Sequence, residues 1–266
     1  MKTRQIIVFI LLVCLAGCGN PPAETLPTST PTEVAQAGPL TDTPTKSPSP
    51  TATHPQTSPT SELTRYEFPT SIDPARRYMF YVHGKIIEDQ GLPAVSPEFG
   101  EYEYLAILER LASYDFVVIS EQRTKDANSW VYAQRVVAQI ELLLAAGVQP
   151  GHITVVGASK GAYIAVFVSH QLKNSGVNFV LLGTCHPDTI REWQQNQLSL
   201  RGNILAISDS VDEYAGSCED MFASSVGQEL GRHDEVILHL GNGHGLLYQP
   251  LDEWILPTVE WAQGQP

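Results

Sequence analysis

The stretch "HITVVGASKGAYIAV" (152–166) sets Ser159 between Gly157 and Gly161, directly after an apolar run. A serine at a strand-to-helix turn projects its hydroxyl outward, among the N–H groups of the helix N-terminus. Glycines on either side remove the side chains that would clash in so tight a turn. A serine hydroxyl is a poor nucleophile near neutral pH and needs a base. His244, in "LGNGHGLLY", follows the last apolar run between Gly243 and Gly245, a loop that lets an imidazole lean over the end of a sheet. The acid that orients such an imidazole is sought between the two, and "ILAISDSVDEYAGSC" offers Asp209, Asp212 and Glu213. Asp212, in the loop, is favoured, with Asp209 at the strand terminus as its rival. The backbone N–H groups of Lys160, just after the serine, and of Lys85, after His83 and Gly84 in "YVHGKIIEDQG", are the candidate donors to an oxyanion. As backbone donors they leave the lysine side chains out of the chemistry. Together these residues would carry out nucleophilic acyl transfer. His239 falls inside an expected strand and reads as structural, while His186, His233 and His152 have weaker positions. No metal-ligand spacing or phosphate-binding glycine loop is visible, so neither a metal nor an organic cofactor is expected.

These residues need elements to bring them together. Apolar runs at 78–84, 115–121, 152–157, 177–183, 203–209 and 235–241 read as six strands. Helical patterns lie between them. The segment 102–113 aligns Tyr104, Ile107, Leu108 and Leu111. The segment 129–147 aligns Ala133, Val137, Ile140 and Leu144, and is closed by Gly147 and Pro150. Further helices are predicted over 160–172 and near 250–263. Near-continuous apolar strands alternating with helices predict an α/β fold: a doubly wound, mainly parallel six-stranded sheet with helices on both faces. Sites in such sheets form at the carboxyl ends of the strands, and every candidate residue follows such an end. The longest loop, 88–104, borders the site. Its Glu98, Glu101, Tyr102 and Glu103 could line the mouth, with solvated surface charge the expected role of most.

Four motifs, "VHGK", "GASKG", "SDSVDE" and "GNGHG", occur in this order, each after an expected strand. Together they resemble the α/β-hydrolase superfamily over most of residues 75–266. The resemblance implies a serine hydrolase with Ser159 as nucleophile, His244 as base and Asp212 as acid, in that superfamily's chain order. It implies an ester-like small-molecule substrate and no cofactor. The two antiparallel strands that commonly open this fold are not evident before residue 78, and no insertion is large enough for a full cap domain. A minimal core with a shallow, open pocket is therefore expected. The alternative is a non-catalytic, surface-tethered binding module on a hydrolase-like scaffold, since a fold does not dictate function.

The ends differ in composition. Residues 1–17, "MKTRQIIVFILLVCLAG", have a basic start and a short apolar run, the pattern of an export signal. The following "LAGC" (15–18) resembles the lipobox of bacterial lipoproteins, which implies cleavage before Cys18, its lipidation, and a chain anchored to the cell envelope outside the cytoplasm. Gly19 is not the aspartate that favours inner-membrane retention in enterobacteria, so the membrane stays open. Residues 18–61 then form a Pro/Thr/Ser-rich tether without aromatics, which cannot bury enough apolar surface to order itself. Extended as polyproline it would reach about 100 Å, and it has the composition of a stalk that could carry O-glycans. Residues 62–266 hold the fold, a length suited to one domain. They also hold the chain's whole acidic excess, a net charge of −13. That balance argues against nucleic acid or a bare anionic membrane as partner, leaving the N-terminal lipid as the membrane contact. Cys185 and Cys218 remain in the exported domain, an even pair for which a disulfide is plausible.

Overall fold

The computed structural model describes residues 63–264. The export signal expected over 1–17, the expected lipidation site Cys18 and the expected tether to residue 61 lie outside the described residues. Among the described residues no helix is long and apolar enough to cross a membrane.

The main sheet has six strands: β1 (Arg77–Val82), β4 (Phe116–Ile119), β5 (Ile153–Ala158), β6 (Asn178–Leu182), β7 (Gly202–Asp209) and β8 (Leu230–Leu238). Their order is β4-β1-β5-β6-β7-β8, and every pair is parallel. The helices are α1 (Lys85–Gln90), α2 (Tyr104–Ala112), α3 (Ser129–Ala145), α4 (Lys160–Leu172), α5 (Pro187–Gln195), α6 (Glu219–Ser225) and α7 (Asp252–Ala262). A two-stranded antiparallel hairpin, β2 (Val95–Ser96) with β3 (Gly100–Glu101), sits in the loop between α1 and α2. Residues of α3, α4, α5 and α6 form one apolar core with one face of the sheet, and residues of α1, α2 and α7 form another with the opposite face. The doubly wound α/β architecture expected from the sequence is the one observed.

Burial on both faces explains the apolar strands. All six residues of β5, "ITVVGA", are buried. The edge strand β8 is half exposed and carries Arg232, Asp234 and Glu235. Its polar start hides it from a hydropathy reading, so it begins five residues before the expected 235. It ends at Leu238 rather than 241, opposite Asp209, the last residue of β7. His239 therefore lies beyond the strand, exposed, not within it. Helix α3 is capped by Asn128, whose side chain accepts the Val131 N–H at 3.0 Å. Its buried face is Ala133, Val136, Ile140 and Leu143, with Val137 and Leu144 only partly buried. Apolar pairs at 136/137 and 143/144 leave the helical period undecided by a fraction of a turn, and packing against the neighbouring layer settles it. In α2, Tyr104, Ile107, Leu108 and Leu111 are all buried, as the spacing predicts.

The chain leaves β1 towards β4 on one side and returns to β5 on the other. The crevice of this sheet therefore opens between the carboxyl ends of β1 and β5, where the winding reverses. The elements are very close there. A Cβ on Gly161 would collide with the Val82 carbonyl of β1, and one on Gly157 with the Gly161 carbonyl. Both obstacles are backbone and cannot rotate away. Gly161→Ala is expected to lose about 1–3 kcal/mol through overpacking, roughly 2–12 °C in thermal midpoint for a domain of this size. A midpoint within a degree of wild type by calorimetry would contradict this close approach.

Candidate active site

Ser159 joins β5 to α4 with φ 53° and ψ −118°. A non-glycine residue there is strained by about 1–3 kcal/mol. The surrounding hydrogen bonds hold it: its N–H donates to Leu182 O at 2.9 Å, and its carbonyl accepts the Ala162 N–H at 2.8 Å. Its Cβ would lie 3.6 Å from a Cβ built on Gly84, in van der Waals contact, so the end of β1 packs directly beside the nucleophile candidate.

The two aspartates have separate tasks. Asp212, its side chain fully buried, lies against His244 Nδ1 at 2.9 Å through Oδ2 and 3.1 Å through Oδ1. Oδ1 also accepts the Tyr214 N–H at 2.9 Å. A carboxylate at Nδ1 selects the tautomer with its proton there and leaves the Nε2 lone pair free to accept one. Asp209 does not touch His244. Its Oδ1 accepts the Val211 N–H at 3.1 Å, and its Oδ2 accepts the N–H groups of Leu240 and Asn242, both at 3.2 Å. It thus ties the end of β7 to the loop that carries the histidine. His244 sits in a 3-10 turn, Gly243–Tyr248, and its side chain is 12% exposed. The Tyr214 ring stands edge-on to it at 5.1 Å, and Phe99 lies at 6.5 Å. Gly183, with φ 60°, lies beneath the pair. A Cβ there would come within 3.2 Å of the imidazole and 3.3 Å of the Asp212 carboxylate.

Ser159 and His244 line one open cleft of about 690 Å³. No hydrogen bond joins the two side chains in this structure. Glu98, Phe99, Tyr163, His186, Glu213 and Tyr214 line the same cleft. Of the loop residues expected at the mouth, Glu98 is there. Tyr102 is instead buried behind Gly84, its hydroxyl 2.6 Å from that of Tyr81. Glu101 and Glu103 lie away from the cleft, Glu103 accepting a hydrogen bond from Gln249. His186 caps α5 with its ring accepting the Asp188 N–H. His152 and His233 are elsewhere, the latter against Phe222. Cys185 and Cys218 are joined by a disulfide, Cα–Cα 5.2 Å, that fastens the loop after β6 to the end of the loop carrying Asp212. Glu235 holds the same corner, accepting hydrogen bonds from Ser217 Oγ and Cys218 N–H.

Lys85 and Lys160 are the first residues of α1 and α4, where helical N–H groups have no partner within the helix. Among the described residues no hydrogen bond occupies either N–H. Behind them lies a buried ionic cluster that the sequence did not single out. Glu88 and Arg123 have no exposed side-chain surface. Arg123 Nε donates to Glu88 Oε2 at 3.1 Å, and its Nη2 donates to the carbonyls of His83 and Gly84. Lys160 Nζ donates to Glu88 Oε1 and to Ala127 O. The lysine side chain, expected to be idle, is thus part of the site's framework. His83, fully buried, accepts the Arg123 N–H on Nε2 at 3.0 Å, which leaves Nδ1 to donate to Gly84 O at 2.8 Å. Burial first, and the Arg123 charge second, push its pKa down to about 3. Among the described residues no group of His, Cys, Asp or Glu side chains is arranged to hold a metal ion.

No protein-family model matches the chain, and no curated protein matches it. Solved structures do. SOBER1 from Arabidopsis thaliana superposes with a TM-score of 0.47 at 11% identity, over 71% of this chain and 99% of its own. The esterase Pf2001 from Pyrococcus furiosus gives 0.47 at 13% identity, over 73% of this chain and 85% of its own. At such low identity these likenesses carry no weight for activity or substrate.

Because His83 is neutral in the folded chain down to about pH 3 and ordinary once unfolded, the unfolded state binds the extra proton. Its contribution to stability is complete above about pH 6.5 and is lost as pH falls towards 3, at about 1.4 kcal/mol per pH unit. Denaturant unfolding between pH 3 and 7 should show this slope, and His83→Asn should flatten it. Equal slopes in the two proteins would assign the acid limb to other groups.

Proposed function

We propose that the chain is a serine hydrolase cleaving an ester-like bond in a small molecule, with Ser159 as nucleophile, His244 as base and Asp212 as the acid that orients it. The observation that carries this reading is the Asp212–His244 pair opening onto the same cleft as a serine held in a strained strand-to-helix turn. Ser159 Oγ attacks the carbonyl carbon, and its proton passes to His244 Nε2 as the Oγ–C bond forms. The carbonyl oxygen takes the negative charge and is met by the Lys85 and Lys160 N–H groups. The bond to the leaving group then breaks, and His244 gives that group the proton. Water, deprotonated by the same Nε2, attacks the acyl-enzyme. The acid product leaves and Ser159 regains its proton. Nothing in this sequence requires a cofactor.

The N-terminal pattern supports export and lipidation at Cys18, so that the enzyme works on a tether outside the cytoplasm, held to the envelope by its lipid. The observation favouring a binding-only module is the missing Ser159–His244 hydrogen bond. Such contacts are commonly loose without substrate, and the chemical test separates the readings.

The purified full-length protein should be labelled by a fluorophosphonate probe, and Ser159→Ala should not be. Asp212→Asn should lower turnover of p-nitrophenyl acetate by about 10³–10⁴-fold, far more than Asp209→Asn, whose carboxylate holds the loop and not the imidazole. Labelling that persists in Ser159→Ala, or a folded wild type that is never labelled, would overturn the hydrolase reading in favour of the binding module.

A further inference from the structure

We infer that the buried cluster of Glu88, Arg123 and Lys160 is a positioning device that aims both oxyanion donors from a single carboxylate. The inference rests on the serine-hydrolase reading and extends it to residues that touch no substrate.

The argument begins with one peptide. Gly84 C=O and Lys85 N–H belong to the same planar trans unit, so they point in opposite directions. The Gly84 carbonyl is held from behind by His83 Nδ1 at 2.8 Å and by Arg123 Nη2 at 3.4 Å. Fixing that oxygen fixes the direction of the Lys85 N–H on the other side of the peptide. Arg123 Nη2 also takes the His83 carbonyl, so consecutive carbonyls at the end of β1 share one donor group. The guanidinium is itself set by Glu88 through Nε and lies over the Tyr132 ring at 5.3 Å.

The second donor is held from the same carboxylate. Glu88 Oε1 accepts Lys160 Nζ, and Lys160 supplies the other N–H at the first position of α4. The two donors come from different strand ends, β1 and β5. Among the described residues, Glu88, on α1, alone is bonded to the side chains of both Arg123 and Lys160.

Stability does not account for the cluster. Arg123 Nη1 is buried with no hydrogen-bond partner among the described residues. Buried ion pairs are weak sources of stability, and apolar replacements of similar volume are often neutral or stabilising. What the cluster does supply is fixed geometry where charge would develop, and misplacement by about 1 Å there costs up to about 100-fold in rate.

The experiment uses the full-length protein, p-nitrophenyl acetate as substrate, and phenylboronic acid, which adds the serine oxygen to form a tetrahedral adduct. The double variant Glu88→Leu/Arg123→Met removes the fully buried pair together and leaves the partly exposed Lys160 Nζ with its bond to Ala127 O. Lys160→Met, whose side chain is 21% exposed, removes one arm and leaves the Glu88–Arg123 pair. Each is expected to keep a thermal midpoint close to wild type and a KM within about twofold, while kcat falls about 10- to 100-fold. Boronate affinity should fall by a factor similar to kcat, since both report the tetrahedral state. A purely structural role predicts no such parallel loss in a folded variant. Should the double variant not fold, Lys160→Met decides. A folded variant with wild-type kcat and boronate affinity would overturn the positioning role and leave the hydrolase intact. A folded wild-type chain that neither turns over ester nor takes boronate would overturn the hydrolase reading, and this inference with it.

Discussion

At the junction of β1, β5 and α4, three pieces of backbone meet more closely than side chains would allow. Gly157 and Gly161 make the approach possible, and Ser159 is left between them in a conformation that an isolated chain would avoid. The sheet supplies the restoring force. Ser159 N–H is tied to β6 through Leu182, its neighbours on β5 are wholly buried, and Gly84 closes in from β1. Much of the site is arranged around this point. The crevice lies there because the winding of the sheet reverses between β1 and β5, and the N-termini of α1 and α4 converge on it because each helix begins just after its strand.

The chain's acidic excess says little about this site, but three buried carboxylates say a great deal. Asp212 faces an imidazole, Asp209 gathers backbone N–H groups from the neighbouring loop, and Glu88 balances an arginine and a lysine. Each is compensated differently, as burial of a charge demands. The contrast between the two aspartates is the clearest. They are three residues apart, one ending β7 and the other in the loop that follows, yet one meets a side chain and the other shapes the backbone that carries that side chain.

The walls are built with comparable economy. The sheet begins at the short edge strand β4, where a 3-10 turn, Thr64–Tyr66, meets the strand end through the Ser120 N–H to Tyr66 O bond of 2.8 Å. On the other side the Cys185–Cys218 bridge closes a span of 33 residues. By the chain-entropy argument such a cross-link contributes about 3–4 kcal/mol, placed where the loops after β6 and β7 define one flank of the cleft. Aromatic rings of Phe99, Tyr214 and Tyr248 form the rest around His244.

The sequence by itself determined what is local. Runs of apolar residues marked the strands, a 3.6-residue period marked the buried face of α2, and glycines around a serine and a histidine marked two turns with room for exposed polar groups. Those signals depend on neighbours within a few residues, so they survive in one dimension. The tertiary structure decided the rest. It showed which aspartate meets His244, how far α3 is rotated, and that β8 starts among polar residues. It also joined His83, Glu88, Arg123 and Lys160, which span more than seventy positions of sequence. A glutamate and an arginine look like ordinary surface charge until the chain folds them together out of water. The energy that makes them matter, the cost of burying a charge and the gain from pairing it, exists only in that assembled low-dielectric space.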